Sequence, residues 1–248
     1  MKLSTDKILS AAVAMVGIKH KIFPVAYLDI GSGTGELINL MRGKYTLASV
    51  SACDYTADLM KIDDIKVEVA NLNTDKLPYA NESFDIATCT EVVEHLEHYR
   101  ETLQEVFRVL RGGGGTLVVS TPNILNLKSR IRFLFFGFYN LFGPLHFKES
   151  ELHNTGGHIT PISLFYLLHS LVDAGFNDIE VAIDKKQSSS FFWLLFLYIP
   201  IKLFSAMIIK KEIKKYKTID EHNIDYVVMQ NSMDILLGRT IIVGCKKP

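Results

Sequence analysis

The stretch VAYLDIGSGTGELINLMRG, residues 25–43, governs how the rest of the chain is read. VAYLDI (25–30) is an apolar run broken only by Asp29, the pattern of a strand buried on both faces. Gly31, Gly33 and Gly35 follow at alternate positions. ELINLMR then spaces its apolar residues as a helix does and stops at Gly43. Strand, glycine turn and helix in that order put free backbone N–H groups and the positive end of a helix dipole at a strand's carboxyl edge. Glycines there let the backbone turn tightly and approach a ligand with no Cβ in the way. The spacing G-x-G-x-G departs from the dinucleotide fingerprint G-x-G-x-x-G, whose third glycine falls one residue later. Asp54 ends the next apolar run, TLASVSACD (46–54), nineteen residues past Gly35. A carboxylate at that place can accept hydrogen bonds from both hydroxyls of a ribose.

Outward from this unit, VEVANL (67–72), SFDIATCT (83–90), TLVVSTPN (116–123), NDIEVAID (177–184) and RTIIVGC (239–245) read as further strands. Helical patterns fall between them, over about 92–110, 161–174 and 227–237. The alternation predicts one α/β domain over 1–248, with a doubly wound seven-stranded sheet covered on both faces. Its last strand is antiparallel, the final two strands forming an antiparallel edge. At the N-terminus, MKLSTDKILSAAVAMVGIKH is expected to be a short amphipathic helix lying on the domain. Thr5 and Asp6 are helix-start residues, and Asp6 and Ser10 interrupt the apolar run a signal peptide needs.

Hydrophobic residues at 48% and charged residues at 22% exclude long disorder. A formal charge of zero argues against a protein that wraps nucleic acid. Cys53, Cys89 and Cys245 lie far apart, without disulfide or zinc spacing, which points to a reducing compartment. The neutral total hides strong segregation. Residues 124–148 carry four basic residues and no acid; residues 185–217 carry eight lysines against Glu212. Together these two apolar inserts hold 14 of the 26 aromatic residues. The first reads as a helical lid over the substrate or a membrane-facing element. The second reads as membrane-associating, with a buried helix or dimer interface as its alternative. Phe191–Ile209 approaches the ~20 residues that span a bilayer, but Pro200, Lys202 and Ser205 interrupt it. A span would also strand the last β-strand across the membrane from its sheet. In-plane anchoring is therefore expected, with Lys210, Lys211, Lys214, Lys215 and Lys217 toward anionic headgroups on the cytoplasmic face.

Glu91, Glu94 and His95 lie where the fourth strand gives way to a helix, at i, i+3 and i+4. A first helical turn would put them on one face. Two carboxylates and an imidazole can hold a hard divalent ion with water positions open. His158, in LHNTGGHIT, is the expected fourth ligand, with His153 and His146 as alternatives. Without a metal, His95 or His158 would serve as general base near neutral pH. His20, His98, His169 and His222 read as surface or packing residues.

Together these motifs resemble the class I S-adenosylmethionine-dependent methyltransferases from about Val25 to the C-terminus, apart from the two inserts. LDIGSGTGE is similar to their first motif and CDYT to the second, which implies Asp54 for the ribose and Tyr55 beside the adenine. NLNTDKLPYANESFD resembles the third, with Asn71 where an Asp often meets the adenine amino group. Asp29, Gly31, Gly33, Gly35, Leu72 and Cys89 are implied as further cofactor-binding residues. TCTEVVEHLEH, FRVLRGGGGTLVVSTPN and HITPISLFYLLHSLVDAGF resemble the later motifs. The likeness runs furthest toward the ubiquinone-biosynthesis O-methyltransferase-like branch. It also touches the small-RNA 3′-terminal 2′-O-methyltransferases, where two Glu and two His hold an ion, a role that would fall to Glu91, Glu94, His95 and His158. The implied function is methyl transfer from S-adenosylmethionine to a hydroxyl of a lipid-associated or small-molecule acceptor, assisted by Mg, Mn or Zn. The alternatives are an RNA 2′-O-methyltransferase, which the apolar inserts and zero charge disfavour, and a non-catalytic cofactor-binding subunit that docks a partner through the inserts.

Overall fold

The computed structural model describes residues 5–145 and 157–248. In chain order the elements are α1 (Asp6–Lys19), β1 (Val25–Ile30), α2 (Glu36–Lys44), β2 (Leu47–Asp54), β3 (Val67–Val69), β4 (Ile86–Thr90) and α3 (Tyr99–Val109). They continue with β5 (Thr116–Pro122), α4 (Leu127–Phe136), α5 (Leu164–Asp173), β6 (Asn177–Ile183), α6 (Ser188–Lys211), α7 (Ile224–Met229), α8 (Met233–Leu237) and β7 (Thr240–Lys246). The strands form one sheet in the order β3-β2-β1-β4-β5-β7-β6. β1 pairs in parallel with β2 and β4, and β4 with β5. β7 is antiparallel to both β5 and β6. This is the doubly wound, Rossmann-like α/β architecture with an antiparallel last strand.

Burial follows the two-residue period of a strand. On β1, Val25 and Tyr27 face a core with Val13, Val16, Ile38 and Met41 of α1 and α2. Ala26, Leu28 and Ile30 face the opposite core, with Leu103 and Val106 of α3 and Leu167 and Leu171 of α5. The order reverses between β1 and β4, so the crevice beyond their carboxyl ends is where such a sheet binds ligands.

The final two strands form the expected antiparallel edge, β7 lying between β5 and an outermost β6. The burial explains it. Residues 240–245 of β7 are all buried, as an interior strand requires, whereas no residue of β6 is. Two expectations need correction. The helix expected over 92–110 is broken: a 3₁₀ turn covers Val93–His95, Leu96 is extended, and α3 begins only at Tyr99. The helix expected over 227–237 is two, because Ser232 caps a new one by accepting from the Ile235 N–H. Each insert contains a helix. α4 lies in the first, and α6 with a π-helical turn over Glu212–Tyr216 lies in the second.

Candidate active site

A cleft of about 400 Å³ opens at the switch point. Its floor is the glycine loop, where Gly31, Gly33 and Gly35 have φ of 69°, 49° and 81°. A Cβ on Gly31 would fall 2.2 Å from Val92 Cγ2, so even alanine is excluded without displacing that wall. The Gly31 N–H donates to the Cys53 carbonyl at 2.8 Å, and the Gly33 N–H donates to Asp54 Oδ2 at 2.7 Å. Asp54 thus pins the loop with one oxygen. Among the described residues its other oxygen meets only the Thr56 N–H, at 3.5 Å, and keeps acceptor capacity. Asp29, Gly31, Gly33, Asp54, Tyr55, Asn71 and Leu72 all line this cleft. Gly35 and Cys89 do not: Gly35 is the left-handed N-cap of α2, and Cys89 is fully buried in the core.

Asp29 lies at the end of β1 and accepts from Thr88 Oγ1 at 2.7 Å; Thr88 in turn meets the Tyr27 hydroxyl at 2.6 Å. Burial pushes the Asp29 carboxyl up to about 7, and these hydrogen bonds only partly offset it.

The Glu-His group lies on the β4 side of the cleft. Glu91 has φ of 56°, left-handed backbone uncommon for a side chain of its size. Its N–H donates to Ser120, and Ser120 Oγ donates back to Glu91 Oε1 at 3.2 Å. Burial pushes its carboxyl up to about 7. Glu94 is wholly buried; its carboxylate lies beside the Thr121 hydroxyl, yet neither makes a well-formed hydrogen bond. Burial, then the charge of Glu91, drives its pKa well up. The Glu94 carbonyl accepts the Ile159 and Thr160 N–H groups at 3.0 Å, which pins the segment carrying His158. His95 Nδ1 lies 2.9 Å from the Gly157 carbonyl. A carbonyl only accepts, so Nδ1 carries the proton and Nε2 keeps its lone pair. The His158 ring stands edge-on to His95 with centroids 4.8 Å apart, and Phe142 lies 5.2 Å from it. Burial, then His95, lowers His158 to about 4, and burial lowers His95 below its usual value. Both rings are neutral at pH 7.

Donor atoms of Glu94, His95 and His158 lie within 4.8 Å of one another. Glu91, expected as a ligand beside Glu94, His95 and His158, is not in this group. The left-handed turn and the short 3₁₀ segment replace the regular helix that would have aligned it, and its carboxylate is turned to Ser120. His146 and His153, the alternatives to His158, lie outside the described residues.

Two contributors were not anticipated. Thr5, Ile8 and Leu9 bring the start of α1 to the cleft, and Arg239 enters from the start of β7. Arg239 Nη2 donates to Thr5 Oγ1 at 2.9 Å, and Nε lies 3.2 Å from Asp184 Oδ2. The signal for Arg239 was the strand direction. An antiparallel last strand begins at the edge where the parallel strands end, so the residue before it faces the crevice.

Residues 28–118 match the family model described as a methyltransferase domain. A protein of Methanocaldococcus jannaschii is 30% identical over 126 residues, 50% of this chain and 52% of that one. A ubiquinone/menaquinone biosynthesis C-methyltransferase of Desulfotalea psychrophila is 29% identical over 101 residues, 38% of this chain and 40% of the relative. The chain spans about half the length, or less, of these relatives. Among solved structures, a methyltransferase from Mesorhizobium loti superposes with TM-score 0.58 at 14% identity, over 98% of this chain and 99% of that one. An S-adenosylmethionine-dependent methyltransferase from Archaeoglobus fulgidus gives 0.57 at 17%, over 96% and 94%. Sheet order and structural neighbours agree on the fold of the class I S-adenosylmethionine-dependent methyltransferases, and residues 28–118 match a methyltransferase domain.

Proposed function

We propose that this protein transfers the methyl group of S-adenosylmethionine to a hydroxyl of a lipid-associated acceptor, working peripherally on the cytoplasmic face of a membrane, with His95 as general base. The observation that carries the reading is the free Nε2 of His95, held by the Gly157 carbonyl in the same cleft as Asp54 and the glycine loop. The cofactor supplies an electrophilic methyl on a sulfonium, so the chain's own residues have two tasks, alignment and proton removal. Gly31, Gly33 and Asp54 shape the cofactor side. His95, kept neutral by burial, takes the hydroxyl proton, and its ring lies within reach of the Glu94 carboxyl group. Leu141 and Phe142 place apolar surface beside His158 and limit water. The names of several relatives specify carbon methylation. A carbon acceptor also loses a proton, so identification of the methylated atom separates the two products.

One observation favours a metal-assisted version: the Glu94 carboxyl group is buried with no well-formed hydrogen bond among the described residues. Glu94, His95 and His158 form the mixed nitrogen and oxygen donor set that zinc or manganese takes, and a bound ion would acidify the acceptor hydroxyl. Turnover in excess chelator decides between the versions. Full activity leaves His95 as a plain base. Loss that Mg, Mn or Zn restores, with cofactor binding unchanged, establishes the metal.

The reading also makes cofactor affinity depend on pH. Asp29, near 7 without ligand, is largely protonated at pH 6. A cationic cofactor in the same cleft favours its ionised form, so binding should release a proton. Affinity is expected to rise by up to about tenfold per pH unit below 7 and to level off above it. Calorimetry in buffers of different ionisation enthalpy reads the proton release directly. Flat affinity from pH 6 to 8 would show that Asp29 is not linked to the cofactor.

A further inference from the structure

Helix α6 is apolar around its whole circumference. One stripe is used by the protein: Trp193, Leu194, Leu197 and Ile201 pack on Leu127, Leu236 and Leu237. Next to the start of the helix, the Gln187 N–H donates to the Leu237 carbonyl at 2.8 Å. Further along, Ser205 Oγ accepts from Asn231 Nδ2 at 3.1 Å. The helix is therefore tied to the domain at two points about 27 Å apart along its axis, at 1.5 Å per residue. The Ser188–Tyr216 stretch is long and apolar enough to cross a membrane by length and composition. These ties lay it along the protein instead of letting it leave the domain to cross.

The rest of its surface has no cover among the described residues. Phe192, Leu195, Phe196, Ile199, Leu203 and Phe204 are each more than half exposed. α4 packs against α6 and adds Leu134 and Phe135, which are 72% and 79% exposed. A contiguous apolar surface of this kind needs an occupant. Charge selects which. Lys202, Lys210, Lys211, Lys214, Lys215 and Lys217 are all exposed along this helix and its π-helical end, against the single acid Glu212. Six exposed lysines against one acid make this face net positive, a charge that an anionic leaflet neutralises and an identical copy of the chain does not.

We propose that α4 and α6 form one docking surface that lies in the plane of an anionic lipid leaflet, apolar side chains among the acyl chains and lysines at the headgroups. The inference rests on the membrane part of the function proposed above and deepens it. The chain after α4 carries Leu141, which is 49% exposed and also lines the cleft. Docking on this surface sets the cleft's mouth against the leaflet, so a hydroxyl lipid reaches His95 without crossing bulk water.

The test uses the full chain and vesicles of phosphatidylcholine with or without phosphatidylglycerol. Co-sedimentation should show at least about tenfold tighter binding to the anionic vesicles. High salt should weaken this without abolishing it, since the Debye length at physiological ionic strength is only ~8 Å. Lys210→Gln, Lys211→Gln, Lys214→Gln and Lys215→Gln together should erase the lipid-charge preference. Phe196→Ser with Leu203→Ser should remove the binding that survives high salt. These side chains are exposed, and unchanged cofactor affinity will verify that each variant folds. Orientation is read with an environment-sensitive dye on Phe138→Cys, beyond α4, and on Leu40→Cys, on α2. The native cysteines are buried, so labelling is specific. The first label should shift to the blue on vesicles and the second should not. Indifference to vesicles, a stable lipid-free dimer that buries the 138 label, or resistance to alkaline carbonate extraction would each overturn in-plane docking. Methyl transfer to a lipid acceptor in micelles by a protein that ignores vesicles would sink the docking and leave the reaction standing. Vesicle docking without transfer to any lipid would do the reverse.

Discussion

His95→Asn is expected to lower methyl transfer by about 10²–10⁴-fold, the usual contribution of a positioned general base, and to leave cofactor affinity unchanged. Asparagine is the informative replacement. Its amide can still donate to the Gly157 carbonyl as Nδ1 does now, so the segment carrying His158 keeps its tie. What disappears is the Nε2 lone pair. The cofactor-side groups, Asp54 and the glycine loop, belong to β2 and the β1–α2 turn and do not contact His95 by hydrogen bond. Single-turnover rates with cofactor bound, beside calorimetric affinity, separate the two effects. A variant with full rate would remove His95 from the chemistry and turn attention to His158.

Asp54→Ala is expected to weaken S-adenosylmethionine binding by about 1.5–3 kcal/mol, the range for hydrogen bonds to a charged group, or roughly 10- to 150-fold. Two losses combine here. The free oxygen no longer accepts from the ribose, and the Gly33 N–H loses its 2.7 Å partner, so the loop that cradles the cofactor is less tightly held. Asp54→Asn should fall between wild type and alanine, since it keeps a carbonyl acceptor and the side-chain shape. Unchanged affinity in a folded Asp54→Ala protein would refute the ribose assignment.

The core of this architecture was legible because it depends on short-range chemistry. A buried strand followed by glycines at alternate positions admits few other conformations, and Asp54 follows from where the next strand ends. Glu91 was misplaced for a different reason. The i, i+3, i+4 spacing assumes regular helix, and nothing in E-V-V-E-H announces the left-handed residue that breaks it. That conformation is held by tertiary bonds to Ser120, twenty-nine residues away. Cys89 was assigned to the cofactor by resemblance, yet on β4 its side chain points into the core. Arg239 reaches the cleft because the antiparallel β7 begins at that edge, and there it meets Thr5 ahead of α1; the strand's direction was expected, but the contact between residues 234 positions apart was not legible. The inserts were legible as apolar and basic. That α6 lies along the domain is fixed by tertiary contacts, the Ser205–Asn231 and Gln187–Leu237 bonds, which the sequence pattern does not announce.

The most direct test of the central claim is to incubate the purified protein with methyl-labelled S-adenosylmethionine and, separately, total lipid, soluble sugar and RNA fractions. The label should appear in the lipid fraction as an O-methyl group, and His95→Asn should abolish it. Label confined to RNA, label on carbon, or no transfer from a protein that binds the cofactor would contradict the account.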